Sequence, residues 1–154
     1  MDSGVDIFTD GACSGNPGEA AIGVVFKDQG KTIREISEPI GHATNNIAEY
    51  AALIRALKEA QILGIRNICL HTDSELMFNQ IRGAYQVKAP RIKPLHEEAL
   101  MLAKGFKRVE FKWVPRELNK DADRLAQGIL KVKASQSGRP DAFVIGEESP
   151  GSEG

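Results

Sequence analysis

The chain has 154 residues, 42% of them hydrophobic and 27% charged, and a formal net charge of −1. That length suits one domain burying roughly 68–70% of its extended surface, so neither disulfides nor a structural metal is needed to hold a core. The composition is that of an ordinary soluble globular protein, no apolar run approaches the length of a bilayer span, and the balanced charge excludes a general attraction to polyanions.

Residues 5–9 form a short apolar run that ends at Asp10 and Gly11, the pattern of a strand entering a turn. Residues 20–26 and 32–40 read as two further strands, with Asp28-Gln29-Gly30 as the hairpin turn between the last two. A three-stranded antiparallel meander is expected. From 46 to 63 the period becomes helical: Ile47, Tyr50, Ala51, Ile54, Leu57 and Ala60 recur at steps of three and four, and Gly64 supplies a stop. Residues 67–72 then read as a strand running into Asp73-Ser74, so a strand, helix, strand order predicts a right-handed crossover and a parallel pairing. Two helices follow, at 74–82 and 93–102, broken by Gly83 and Pro90; a strand at 108–114 and a helix from about 119 to 130 close the pattern.

The expected fold class is therefore α/β: a mixed five-stranded sheet, three antiparallel strands followed by parallel ones, with helices on both faces. Residues 1–131 are expected to form the domain. Beyond Val132 the composition turns to Ser, Gly, Pro and Glu, as expected of a flexible tail over 132–154. Within it, Ala142-Phe143-Val144-Ile145 leaves two readings open, a small docking strand or an apolar spot in a disordered end.

Cys13 and Cys69 lie far apart without metal-type spacing and read as reduced thiols. No secretory signal precedes the first strand, and a cytoplasmic protein is expected. His42, His71 and His96 are scattered and read as surface or packing histidines.

Four acids stand where core residues or element ends are expected. Asp10 and Asp73 each close an apolar run before a turn residue, which points both toward the carboxyl ends of strands, where open α/β sheets gather ligands. Glu49 follows Asn46 by three residues, as in a capping box, yet also shares the helical stripe of Leu53, Ala56 and Ala60. Asp123 borders the apolar face of Ala122, Leu125, Ala126 and Ile129, and as a first-turn acid it also suits the helix dipole. Each acid has a local structural role; four converging carboxylates are stable only with shared protons or bound cations. Oxygen donors of this kind favour Mg²⁺ or Mn²⁺ over zinc.

Four motifs now carry a resemblance: "TDGACSGNPG" around Asp10, "TNNIAEYAAL" around Glu49, "HTDSELM" around Asp73 and "NKDADRLA" around Asp123. In this order, over residues 5–130, the chain resembles the type 1 ribonucleases H of the ribonuclease H-like group. The resemblance implies an endonuclease that hydrolyses the RNA strand of RNA–DNA hybrids with two Mg²⁺ or Mn²⁺ ions, leaving 3′-hydroxyl and 5′-phosphate ends. It carries the family's metal ligands to Asp10, Glu49, Asp73 and Asp123, with Asp10 bridging both ions, Glu49 and Asp73 on one side and Asp123 on the other. It also implies that Gly11, Cys13, Ser14, Gly15 and Asn16 line the hybrid groove, with Ser74 on the same surface. Thr44, Asn45 and Asn46 would contact sugars or a DNA phosphate. A monomer that binds hybrid and no membrane is expected.

Three departures stand out. The loop Trp113-Val114-Pro115-Arg116-Glu117-Leu118 holds none of the histidine found there in many members, which places the chain with a histidine-less subgroup. Glu75 stands where a glutamine often meets substrate, and the basic protrusion of some members shrinks here to Lys88, Arg91 and Lys93. Weak hybrid binding by the isolated domain is expected. Competing readings are another nuclease or resolvase on the same fold and a non-catalytic hybrid-binding scaffold; a phosphate-cradling loop fails because the lysine and Ser/Thr of a P-loop are absent.

Overall fold

A computed structural model describes residues 4–137. Its single sheet has the order β3-β2-β1-β4-β5. The strands are β1 (Val5–Cys13), β2 (Gly18–Asp28), β3 (Lys31–Ala43), β4 (Asn67–Thr72) and β5 (Arg108–Trp113). β1, β2 and β3 pair antiparallel, while β4 pairs parallel with both β1 and β5. The β2–β3 hairpin turns through Gln29 and Gly30, both at positive φ, as a two-residue turn matching strand twist requires. The expected fold class is present, strand for strand.

The helices are α1 (Asn45–Ile62), α2 (Glu75–Ile81), α3 (Lys93–Ala103) and α4 (Lys120–Ser137), with a short 3₁₀ turn at Arg116–Leu118. Strand alternation explains their placement. Val5 and Ile7 of β1, Val24 and Phe26 of β2, and Ile68 and Leu70 of β4 form one core with Tyr50, Leu53 and Leu57 of α1 and Ala99 of α3. Ala12 and Ala21 face the other way, against Ala126 and Leu130 of α4.

Three expectations shift in detail. β1 continues past Asp10 to Cys13, because its pairing with β2 persists there after the parallel pairing with β4 ends at Thr9 and Thr72. α1 is capped by Thr44, whose hydroxyl accepts from the Ile47 amide at 3.2 Å, so Glu49 is not the acid of an Asn46 capping box. α4 runs to Ser137, through the start of the expected tail, because Lys131 to Ser137 contains no helix breaker before Gly138. The segment at 142–145 lies outside the described residues. Among those that are described, no helix is long and apolar enough to cross a membrane.

Candidate active site

Two glycines bring helices onto the sheet from opposite faces. A β-carbon at Gly11 would collide with the α1 backbone at Ala48 and Glu49, and one at Gly23 would collide with the α4 backbone at Ala122 and Ala126. Gly23 is the cross-strand partner of Asp10, and Gly11 follows Asp10 in β1. The missing side chains let both helices close on the same point of β1. Glu49 thereby arrives from one face and Asp123 from the other, while Asp73 emerges past the end of β4.

Oxygens of Asp10, Glu49 and Asp73 lie within 4.8 Å of one another. Asp123, at the start of α4, stands beside Asp10 and helps to raise its carboxyl. Asp10 is only 2% exposed. Burial, then the charges of Glu49 and Asp73 and the contact with Asp123, push its carboxyl from 3.8 up to about 10. Burial and the Asp73 charge push Glu49 up to about 8, against the Gly11 N–H donated at 3.1 Å and the positive charge of Arg116. Without a cation the cluster holds protons in place of metal. With one, its hard oxygen donors suit Mg²⁺ or Mn²⁺, so the residues present fit such ions.

Side chains around the acids fix them. Asn119, 1% exposed, donates through Nδ2 to the Thr9 carbonyl at 2.9 Å and to Asp73 Oδ2 at 3.1 Å. Its own carbonyl accepts from the Asp123 amide at 3.1 Å, so one residue ties β1, the end of β4 and the start of α4 together. The Trp113 indole donates to the Asp73 carbonyl at 3.3 Å. Sequence reasoning assigned no role to Asn119, Trp113 or Arg116; an asparagine four residues before the last acid reads only as a helix start.

The expected substrate residues fall into two groups. Ser14, Gly15, Asn16 and Asn45 are exposed, and Asn16 Oδ1 accepts from the Asn45 amide at 3.0 Å, joining the β1–β2 loop to the start of α1 in one wall. Thr44, Asn46 and Ser74 are half-buried; Thr44 and Ser74 cap α1 and α2, and Asn46 Nδ2 donates to Gln80 Oε1 at 3.4 Å. Cys13 is half-buried with its thiol directed to the Ala43 carbonyl at 3.4 Å, and its pKa is raised by burial and by Glu49. Gly11 is buried, its N–H held by Glu49 and its α-carbon against α1. Glu75 is exposed on α2 and stands apart from the three-acid cluster.

A mixed sheet in this order, with carboxylates from the central strand, from just beyond β4 and from two helices meeting on it, defines a ribonuclease H-like protein. A family profile described as reverse transcriptase-like matches residues 8–128. The crystal structure of RNase H1 from the archaeon Halobacterium salinarum superposes with a TM-score of 0.82 at 40% identity, covering 84% of this chain and 99% of that one. LC11-RNase H1, solved in complex with an RNA/DNA hybrid, gives a TM-score of 0.79 at 40% identity, covering 84% of this chain and 99% of that one. The bifunctional protein Rv2228c of Mycobacterium tuberculosis is 40% identical over 155 residues, 97% of this chain and 42% of that relative's length. Its N-terminal RNase H domain superposes with a TM-score of 0.81 at 40% identity, covering 88% of this chain and 98% of that one. The chain spans less than half of that relative. It belongs to the ribonuclease H family, in the type 1 branch.

Proposed function

We propose that this chain is an endonuclease that hydrolyses the RNA strand of RNA–DNA hybrids, leaving 3′-hydroxyl and 5′-phosphate ends. The observation that carries this reading is the convergence of Asp10, Glu49 and Asp73 within 4.8 Å in a chain of this family. Asp10, Glu49, Asp73 and Asp123 would hold two Mg²⁺ or Mn²⁺ ions, which when bound supply an activated water and a stabilised leaving oxygen. The chain's own residues set the frame for that chemistry. Asn119 holds the Asp73 carboxylate, the Gly11 amide orients Glu49, and the bulk of α1 and α4 excludes water from Asp10. No side chain is required as nucleophile.

The exposed wall of Ser14, Gly15, Asn16 and Asn45, with Cys13, Thr44, Asn46 and Ser74 behind it, is assigned to the hybrid's minor groove, where amides and hydroxyls read shape and the 2′-hydroxyl. Gly11 supports that wall from beneath. The exposed Lys88 and Arg91 on the α2–α3 connection and Lys93 at the start of α3 offer a modest phosphate contact. We assign the protein to the cytoplasm as a monomer, with residues 1–131 as the catalytic unit.

A substrate panel tests the reading: labelled RNA–DNA hybrid, double-stranded RNA, double-stranded DNA and single-stranded RNA, each incubated with Mg²⁺ or Mn²⁺. Cleavage of the hybrid's RNA strand in preference to the other three is expected. Hybrid that is bound but never cut would turn the assignment to a scaffold, and preferred cleavage of another duplex would turn it to a related nuclease.

A further inference from the structure

The sheet face that carries Asp10 is covered by α4 over β1, β2 and β3, and it continues onto β4 and β5 as a row of chemistry-bearing residues. The register places Asp6 beside Cys69 and Cys69 beside Glu110, straight across three parallel strands. One step along, Phe8 lies beside His71 and His71 beside Lys112. Asp6, Cys69 and His71 offer donor atoms that all lie within 4.8 Å of one another. Asp6 and Cys69 also line an open pocket of ≈ 230 Å³ together with Arg108, Glu110 and Lys112.

From these positions we propose a second cation site, separate from the four acids, in which Asp6, Cys69 and His71 bind a borderline ion of the zinc or cobalt class. Two ligands at positions i and i+2 of one strand, with a third on the neighbouring strand, present three donors on one face of a sheet. Thiolate, imidazole and carboxylate form a donor set that suits zinc and disfavours magnesium. His71 Nε2 and Asp6 Oδ1 are 3.0 Å apart, near the span of two ligands on one tetrahedral ion, whose bonds to nitrogen and oxygen are about 2.0–2.2 Å. Glu110, the neighbour of Cys69 on β5, lines the same pocket and is placed by the register within reach as a further oxygen donor.

The metal-free arrangement is consistent with this use. His71 is stacked on Phe8 with ring centroids 4.3 Å apart, which fixes the imidazole plane. Its Nε2 meets Asp6, and its Nδ1 is buried with no hydrogen-bond partner among the described residues. Coordination through Nε2 replaces its hydrogen bond with Asp6 by a shared ion and places the ring proton on Nδ1. Cys69 is 8% exposed and free, and binding releases its thiol proton to solvent as the thiolate forms. Spacing along the sequence hid the site, because Asp6 reaches Cys69 only through strand pairing.

Cobalt titration of the Asp10→Asn protein tests the proposal with the four-acid site weakened, and its readout does not depend on hydrolysis. The expected result is a near-ultraviolet thiolate-to-cobalt band saturating at one ion per chain and displaced by Zn²⁺. The band should persist with Cys13→Ser, vanish with Cys69→Ser and weaken at least about tenfold in affinity with Asp6→Asn, the order expected for a lost ligand. Asp6 is part-exposed, so that variant keeps the test open should the Cys69 variant fail to fold. Absence of the band in Asp10→Asn, its loss with Cys13→Ser, or its survival in Cys69→Ser would overturn the proposal and leave Asp6 and His71 as a hydrogen-bonded pair.

Discussion

Glu59 and Asp10 are both buried acids, 4% and 2% exposed, yet their carboxyls are driven in opposite directions. Glu59 of α1 meets Arg55 NH1 at 2.8 Å and Arg34 Nε at 2.8 Å, and Arg55 reaches on to Glu38 at 3.2 Å. The hydrogen bonds from Arg55 and Arg34 hold Glu59 below the ordinary glutamate value despite its burial. Asp10 has acids for neighbours, and burial with their repulsion pushes it up to about 10. The chain supplies its own cations where the role is to fasten β3 to α1. Beside the acids it supplies Arg116, whose charge lowers Glu49 without cancelling the rise. The site is built to receive cations from solution.

The comparison breaks first at the glycines that make the site so crowded. Gly11→Ala should cost about 3 kcal/mol, the upper range for overpacking, because a β-carbon there meets helix backbone rather than a flexible side-chain end. Denaturant unfolding measures that loss, and a variant of wild-type stability would mean that α1 moves freely against β1. Glu59→Ala should cost about 2 kcal/mol at pH 7, the loss of hydrogen bonds to charged partners. Its pH dependence carries the sign: Glu59's folded pKa is lowered, so its stabilisation is complete above about 4.5 and fades as pH falls through the folded value. The gap between wild type and Glu59→Ala should therefore narrow toward pH 3.

Asp10 reverses that sign. Its folded pKa is raised from 3.8, so its own contribution to the stability of the metal-free protein is fully present below that value and is lost as pH climbs toward about 10. Asp10→Asn removes the penalty and should raise the metal-free melting temperature by about 5 °C at pH 8, with little change at pH 4. Equal melting curves at pH 8 would show that the acids are not strained against one another. Saturating Mn²⁺ should shrink the gap, since cations relieve the same repulsion in wild type.

Much of this was legible in the amino-acid order. The short strand-like stretches at 20–26 and 32–40, the Asp28-Gln29-Gly30 turn between them and the three-and-four spacing of 46–63 identify the meander and α1, because short segments bounded by turn chemistry and a local helical period suffice for them. The four acids were legible through their motifs, although Asp10 lies within β1 rather than at its end. What stayed hidden depends on pairing across the sheet. That β1 runs on to Cys13, that Gly11 and Gly23 admit two helices, and that Asn119 clasps Asp73 are set by neighbours far along the chain. The last turns of α4 were missed for a different reason: polar composition suggested a tail, while the absence of Gly and Pro from 131 to 137 lets the helix continue.

The most direct test of a cation-requiring acid site is RNA-strand cleavage of a labelled hybrid by wild type and Asp10→Asn, each with Mg²⁺, with Mn²⁺ and with a chelator. The account predicts cleavage by wild type with at least one of the metals, none with chelator, and a loss of about 10²–10³-fold in Asp10→Asn, the scale for removing one preorganised charge-stabilising group. Cleavage that survives the chelator, or equal rates in the two proteins, would contradict it.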